Sequence, residues 1–338
     1  MAAPGGCARD KPGTSEEALA AAVDKARDKA TAAKIATGTA RDWIAEVAMN
    51  MTPEERAKWQ QMQGKRPPEK VMAEYGGDIE KARAQVKKAA AKEVGAKAAA
   101  QATAKASAAR AAEIKQFTED KGLMKDPRVK KILDALGDSK DPKKIATAAK
   151  DLRSLIITEI LGSEIQAENK GAKVMSEVHV WIEQDEATIA DYKAAHADEF
   201  KKSSPGLKEI DGKIYREMTD MDLVVASPGP DGGPATVLRR EEIKTGGETA
   251  DKAKTQLTDL TRDVREALAS DKQVKLFKDG AEITPQIDVA SIPGATAETR
   301  GPEGRGFDRS LGITLDDLNK LITDLLQHAR AMEKDPHA

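Results

Sequence analysis

The stretches TDMDLVV (residues 219–225) and TVLRREEIKTGG (236–247) are apolar runs that each carry acidic residues. The segment between them, 226–234, is rich in Gly and Pro, so the pattern predicts a β-hairpin. Side chains two residues apart share one face of a strand, so Glu242 and Lys244 are expected to point the same way. Normal hairpin pairing then brings Asp222, on the first strand, close to Glu242.

This hairpin predicts a divalent metal site at one end of a sheet. Asp222 and Glu242 supply hard oxygen ligands, which suit Mg²⁺. Lys244 beside them can hold a phosphate or a developing hydroxide. Glu241 is expected to face the other side of the strand, because one residue of offset reverses the face.

Helices and further strands are predicted around the hairpin. In chain order they are a helix at 142–170, a strand at 174–182, a helix at 185–202, strands at 213–227 and 235–245, a helix at 249–270, strands at 273–277 and 285–292, a long loop at 293–310 and a helix at 315–332. In the strand at 174–182, Val174, Ser176, Val178, Val180 and Ile182 are expected to form one face. The order predicts an α+β or α/β fold, with a mixed sheet flanked by helices.

Composition divides the chain into regions. Residues 81–110 contain 14 Ala in 30, which favours exposed or closely packed helix. We expect a disordered N-terminus at 1–14, an all-α, Ala-rich region at 15–149 and the mixed-sheet domain at 150–338. A modest core is expected in the C-terminal part and an extended helical arrangement in the N-terminal part.

Charge and cysteine content limit the function classes. The net charge is −2, but residues 81–150 hold 18 Lys and Arg against 8 Asp and Glu, an excess that either attracts polyanions or forms a solvated helical face. The single Cys7 excludes an internal disulfide and fits a reducing compartment. No apolar run reaches membrane-spanning length, and residues 1–15 lack a secretory signal pattern. With four His and one Cys, a zinc cluster is not expected.

The order of elements and the acidic motif resemble the PD-(D/E)XK nuclease superfamily, whose fold is called restriction-endonuclease-like. The resemblance covers roughly residues 150–292. It is carried by Asp222 before Leu-Val-Val, by Glu242-Ile-Lys244, by the Thr-Gly-Gly that leads into a helix, and by LGSEIQA at 161–167. In place of the usual Pro-Asp dipeptide the chain has TDMD.

The resemblance implies roles for five residues. Asp222 and Glu242 would bind Mg²⁺, with Mn²⁺ as the alternative, and Lys244 would position or activate water and contact the phosphate. Glu164 would bind a second metal, or the metal through water. Gln256 would face the site from the helix that follows. Two questions stay open, namely whether Asp220 shares the ligand role with Asp222, and whether Glu159, a competitor of Glu164, shares the metal site.

The implied function is metal-dependent hydrolysis of phosphodiester bonds, with DNA favoured over RNA as the substrate. A helical front and a nuclease-like rear resemble the layout of polymorphic toxins and secretion-system effectors. That layout implies synthesis in the cytoplasm and export without a cleaved signal peptide into the cytoplasm of a target cell. The expected partners are an immunity protein and a component of a secretion apparatus, which would dock on the N-terminal helices.

Two other functions stay open on the sequence alone. One is a restriction, repair or mobile-element endonuclease in which residues 81–150 clamp DNA. The other is a non-catalytic helical adaptor with a degenerate nuclease core. The complete set of two acids and one lysine argues against the second.

Overall fold

The computed structural model describes residues 16–202 and 206–334. These residues belong to two compact units, the first ending at Ala102 and the second beginning at Thr103. The predicted disorder of residues 1–14 concerns a segment outside the described residues. The predicted functional boundary between residues 149 and 150 stays a prediction.

The first unit is helical and has an aromatic core of its own. Its helices are α1 (Glu16–Ala48), α2 (Pro53–Gln63), α3 (Pro68–Glu74) and the first part of α4 (Ile79–Asp120). Trp43, Trp59 and Tyr75 pack against one another with ring centroids 5.8–6.1 Å apart, a spacing typical of favourable aromatic pairs. Trp59 is only 1% exposed. The N-terminal helices therefore build a compact core, which composition alone did not predict.

The start of α2 follows from its sequence. Thr52 caps the helix by accepting a hydrogen bond from the Glu55 amide, and the Glu55 carboxylate accepts one from the Thr52 amide. Pro53 occupies the first helical position, where no backbone donor is needed. A cap of this kind contributes roughly 1 kcal/mol to helix stability.

The second unit contains the rest of α4, several further helices and all the strands that the structure describes. Its elements are α5 (Pro127–Leu136), α6 (Pro142–Glu168), β1 (Lys173–Glu183), α7 (Ile189–Ala195), α8 (Ala197–Lys202), β2 (Leu207–Ile210), β3 (Lys213–Ser227), β4 (Ala235–Ile243), α9 (Ala250–Ala269), β5 (Val274–Lys278), β6 (Ala281–Glu282), β7 (Ile287–Asp288), β8 (Thr296–Gly301), β9 (Arg309–Ser310) and α10 (Leu315–Lys334). Within the described ranges, no helix is both long enough and apolar enough to cross a lipid bilayer.

These strands form one mixed sheet in the order β6-β5-β1-β3-β4-β8-β9. The strands β1, β3 and β4 are antiparallel neighbours, whereas β8 lies parallel to β4. The short strands β2 and β7 pair with β3 and β4, respectively. The predicted fold class, a mixed sheet with helices preceded by a helical region, is confirmed.

Apolar cores lie on both faces of this sheet. On one face Leu223, Val225 and Ile243 pack with α6 and α10. On the other face Val224 and Ala226 pack with the apolar stripe of α9. Burying each large apolar side chain stabilises the fold by about 1.5–3 kcal/mol, so the central hairpin is fixed from both sides.

The prediction for residues 285–310 was wrong in two places. Only Ile287–Asp288 is strand in the first part, and Val289–Gly294 forms a 3₁₀ helix. The predicted loop contains β8 and β9. The Gly and Pro residues of this segment led to the prediction of a loop. In addition, β8 lacks an apolar alternation, because its charged side chains pair with charged residues of β4.

The face predicted for β1 was also wrong at its start. Met175, not Ser176, packs with Val178 in the core under α9. The alternation shifts because Glu177 adopts a positive φ of 53°, which a non-glycine residue rarely does.

A buried ion pair joins β4 to β8. Glu241 has a fully buried side chain, and its carboxylate accepts hydrogen bonds from Arg300 Nε at 2.8 Å and Nη2 at 3.2 Å. Arg239 also lies 3.3 Å from this carboxylate. Glu241 pairs in register with Leu223, directly beside the predicted metal site.

Replacing Arg300 with Gln is expected to destabilise the second unit by about 3–5 kcal/mol, because it leaves the Glu241 charge buried without its main partner. The control is Arg309→Gln, which breaks a more exposed pair with Glu298 and should cost about 1 kcal/mol or less. The urea midpoint can be followed by hydrogen exchange in peptides covering β4 and β8. Equal midpoints for the two variants would contradict this prediction.

Candidate active site

Asp222 and Glu242 lie side by side at one end of the β3–β4 hairpin. The ladder pairs Val224 with Arg240 and Leu223 with Glu241, so the next position along brings Asp222 to Glu242. The Ile243 amide donates a hydrogen bond to Asp222 Oδ2 at 2.5 Å. The carboxylate of Asp222 thus takes the place of a backbone acceptor and is held against β4.

Lys244 joins this pair from the end of β4. Its ammonium group forms an ion pair with the Glu242 carboxylate. The Lys244 side chain is largely buried, and Glu242 is only 4% exposed. The structure therefore brings together the three residues on which the sequence prediction depended.

The electrostatics of the two acids are unfavourable without a further cation. Burial raises the pKa of Asp222 well above its usual range, and the nearby Glu242 carboxylate raises it further. Burial also raises the pKa of Glu242, although the ion pair with Lys244 opposes this. The charge of Asp220 raises both pKa values. A divalent cation between Asp222 and Glu242 would relieve this repulsion.

The backbone is irregular where Asp222 lies. The β1–β3 ladder pairs Ser176 with Leu223 and Val178 with Met221, but it skips Glu177 and Asp222 between them. Glu177 is the residue with φ of 53°. Strained residues of this kind persist where the surrounding structure over-determines them, and they are common beside functional sites.

The donor set of the site suits Mg²⁺ with several of its waters retained. Among the residues that the structure describes, no three His, Cys, Asp or Glu side chains are grouped closely enough to form a metal site. Asp222 and Glu242 alone would supply protein oxygens, and Mg²⁺ is often held by one or two carboxylates and a substrate phosphate. Asp220 acts on both acids through its charge, and whether it is a ligand stays open.

Glu241 is not available to this site. Both of its carboxylate oxygens are bound by Arg300, and the residue that follows, Glu242, faces the other side of β4. The geometry agrees with the expectation that Glu242, rather than its neighbour, shares a face with Lys244.

Glu164 is held by Arg110 from α4. Arg110 Nη1 lies 2.6 Å from Glu164 Oε1, and Nη2 donates to Oε2 at 2.9 Å. Its competitor on α6, Glu159, lies 2.7 Å from Arg128. The structure therefore gives each of these two candidate acids an arginine partner. A metal-binding role for Glu164 stays a prediction, and it requires the pair with Arg110 to open.

Gln256 lies on the flank of α9 that also carries Lys252, one helical turn earlier. Lys252 is close enough to Glu242 to lower its pKa. The Gln256 Oε1 atom is buried and has no hydrogen-bond partner among the described residues. This placement fits the predicted role of Gln256, a side chain that faces the two acids and whose Oε1 atom can accept a hydrogen bond.

Two arginines near the site were not predicted. Arg240, on the same face of β4 as Glu242, is 1% exposed, and its Nη2 donates to Thr261 Oγ1 at 2.6 Å. Its Nε and Nη1 atoms find no partner in the part of the chain that the structure describes. Arg153 of α6 donates to Thr245 Oγ1 at 3.3 Å. No sequence motif marks Arg153, whereas the strand alternation that places Glu242 also places Arg240.

Asp222→Asn is expected to stabilise the protein near neutral pH by about 1–3 kcal/mol, because it removes a buried charge. A carboxyl group whose pKa is raised by folding binds its proton more tightly in the folded state. Its destabilising effect is therefore absent below the ordinary carboxyl pKa and grows as the pH rises through the folded-state value. The gain from Asp222→Asn should shrink as the pH is lowered.

Urea midpoints at about pH 7.5 and about pH 4.5 test this pH dependence. The exposed Asp324→Asn is the matched control, and it should change the free energy of unfolding by no more than about 0.5 kcal/mol at either pH. An Asp222→Asn protein that is less stable than wild type near neutral pH would contradict the burial of a repelled charge.

No known protein family, curated protein or solved structure matches this chain. The chemistry of the site is therefore inferred from its own side chains. These are two adjacent carboxylates with raised pKa values and an ammonium group paired with one of them.

Proposed function

We propose that the chain is a Mg²⁺-dependent nuclease that hydrolyses phosphodiester bonds, with DNA as the favoured substrate. The observation that carries this proposal is the convergence of Asp222, Glu242 and Lys244 at one end of the β3–β4 hairpin. The resemblance to the PD-(D/E)XK superfamily rests on these same three residues. The antiparallel hairpin followed by α9 further supports it.

The two acids would hold the metal. Asp222 and Glu242 are largely buried and repel each other. Because folding has already removed most of the water from both carboxylates, binding a divalent cation would cost them little further desolvation. Bound there, Mg²⁺ or Mn²⁺ supplies Lewis-acid stabilisation of the negative charge that develops on the phosphoryl oxygens.

Lys244 would act on the substrate. Its ammonium group is held by Glu242, so it is oriented before a phosphate arrives. With a cation held by the two acids, Lys244 would share the Glu242 carboxylate with it, and its ammonium group could donate a hydrogen bond to a non-bridging phosphate oxygen or to the attacking water. A positioned cation of this kind contributes most when it meets charge that develops in the transition state.

Gln256 would complete the site from α9. An amide side chain both accepts and donates hydrogen bonds, and Oε1 of this residue is buried without a partner among the described residues. Its Oε1 atom can accept a hydrogen bond from the attacking water and so orient it. Lys244 is then free to contact the phosphate.

The biological setting that we propose is an antibacterial toxin or secretion-system effector. The first unit has its own aromatic core, which supports a separate role for the N-terminal helices in delivery or docking. An immunity protein would then protect the producing cell.

One observation favours a non-catalytic adaptor as the second candidate. Glu164 is paired with Arg110, and no group of three acidic, His or Cys ligands occurs within residues 16–202 and 206–334. A nuclease-like domain that had lost the ability to bind metal would show this same arrangement. A restriction or repair endonuclease would share the chemistry of the leading proposal and differ in its biology.

With Mg²⁺ the purified protein is expected to convert supercoiled plasmid into nicked and linear forms, and EDTA should stop the reaction. Asp222→Ala, Glu242→Ala and Lys244→Ala should each lower the rate by at least about 100-fold, because each removes a group that acts in the transition state. Lys170→Ala, which changes an exposed lysine with no ion pair among the described residues, is the control.

Total RNA provides the second substrate in this assay, and Glu164→Gln tests the third acid. A loss of activity comparable to that of Asp222→Ala would make Glu164 a metal ligand, whereas an unchanged rate would limit it to the pair with Arg110. Failure to cut DNA and RNA with any divalent metal would refute the nuclease and leave the adaptor.

Expression in bacteria is expected to arrest growth, and Lys244→Ala should relieve the arrest at equal protein level. Plating efficiency after induction measures the effect, with Lys170→Ala as the control that still arrests growth. Normal growth with a protein that cuts plasmid in vitro would favour the restriction or repair enzyme over the toxin.

A further inference from the structure

Basic side chains from separate elements meet at the segment 244–249, which links β4 to α9. Arg153 of α6 donates to Thr245 Oγ1, and Arg305, between β8 and β9, donates from Nη2 to the Gly247 carbonyl at 2.9 Å. Lys252, in the first turn of α9, carries its charge close enough to Glu248 to lower the pKa of that carboxyl group. Lys150, one turn before Arg153 on α6, is close enough to Glu248 to lower its pKa. We call Lys150, Arg153, Lys252 and Arg305 the cationic rim.

Arg153 is a half-buried cation without an acidic partner among the described residues. Its Nη1 donates to Asn319 Oδ1 at 2.6 Å and its Nε to Thr245, both neutral acceptors. Burial lowers the pKa of the guanidinium, and the charge of Glu248 offsets this in part. In the described part of the chain no carboxylate lies within ion-pair distance of Arg153. A cation that has given up water without gaining an anion is prepared to bind one.

Glu248 does not neutralise the rim. Backbone hydrogen bonding lowers the pKa of this carboxyl group, and so do the charges of Lys244, Lys252 and Lys150. It forms no ion pair within 4.0 Å among the described residues. Lys150, Lys252 and Arg305 are exposed, so a single acid stands among several cations that solvent and large ligands can reach.

Gly246 allows these groups to approach the segment. A Cβ atom at this position would lie 2.6 Å from Glu248 Oε2 and 3.1 Å from Arg153 Nη2. The second distance is tighter than most contacts of a Cβ atom, so a side chain at residue 246 would push the guanidinium back from the segment, and glycine lets it approach. Arg153 Nη2 is its one nitrogen without a hydrogen-bond partner within the described ranges.

The rim is arranged along the chain rather than at one point. Thr245, Gly247 and Glu248 each lie beside cations of the rim: Arg153 donates to the first, Arg305 donates to the second, and the charges of Lys150 and Lys252 lower the pKa of the third. The first of these is the residue next to Lys244. Repeated positive charge that begins at the reacting group suits the repeated phosphates of a polynucleotide better than one isolated phosphate.

We propose that the cationic rim binds the phosphate backbone of a polynucleotide beside the scissile bond, with Arg153 holding the phosphate next to it. This inference rests on the proposed function for the position of the scissile bond. Arg153 suits this role because its planar guanidinium can donate two parallel hydrogen bonds to phosphate. The rim then aligns the strand, and Lys244 acts on the phosphate that reaches the two acids.

The test measures binding of a short labelled DNA duplex by fluorescence anisotropy in EDTA, where no metal-dependent cleavage occurs. Arg153→Gln should weaken binding roughly tenfold at low salt. The double variant Lys150→Gln/Arg305→Gln should weaken it comparably and reduce the slope of log K against log salt by about 1 for each phosphate that is no longer neutralised. These two exposed residues can be changed without disturbing the core, so the test does not depend on the half-buried Arg153.

The controls Lys170→Gln and Arg262→Gln remove the same charge elsewhere, the second from the exposed side of α9. They should bind within about twofold of wild type. Rim variants that bind like these controls would overturn the inference. So would equal competition by a mononucleotide and by a polynucleotide at the same phosphate concentration, since this would indicate a single-phosphate site.

The two proposals fail separately. If wild type cuts DNA while the rim variants bind and cut as wild type does, only the inference about the rim is wrong. If the rim variants lose binding while wild type cuts neither DNA nor RNA with any divalent metal, the protein binds polynucleotides through the rim and the nuclease proposal is wrong.

Discussion

The site depends on holding two like charges together inside the protein. Asp222 and Glu242 are adjacent across β3 and β4, and burial makes their repulsion stronger than it would be in water. The hydrogen bond from the Ile243 amide to Asp222, the ion pair from Lys244, and packing on both faces of the hairpin oppose this repulsion. The surrounding fold thus holds together two carboxylates that would otherwise repel each other.

The same strand carries an acid on each face, with opposite consequences. Glu241 is fully paired by Arg300 and stabilises the joint between β4 and β8. Glu242, one residue later, has only the partial compensation of Lys244. The difference lies in the neighbouring strands. The parallel strand β8 provides a cation for one face, whereas β3 provides a second anion for the other.

Much of the central hairpin follows from the sequence. The apolar runs, the Gly- and Pro-rich turn and the two-residue spacing predicted β3, β4 and the meeting of Asp222, Glu242 and Lys244. Local patterns could not predict β8, because its charged residues Glu298 and Arg300 pair with Arg239 and Glu241 of β4, which are distant in the chain. They also could not predict the shift of β1 at Glu177 or the pairing of Glu164 with Arg110, since both depend on residues distant in the chain. Arg153 has no motif and became visible only through its contact with Thr245.

The aromatic core of the first unit has a practical consequence. Two of the three tryptophans, Trp43 and Trp59, lie in that core, and the third, Trp181, lies on β1 of the second unit, edge-to-face with Phe277. Indole emission therefore reports mainly on the N-terminal helices. A protein with Trp43 and Trp59 both replaced by Phe would keep Trp181 as its single tryptophan. Its fluorescence would then follow the unfolding of the second unit, separately from that of the first.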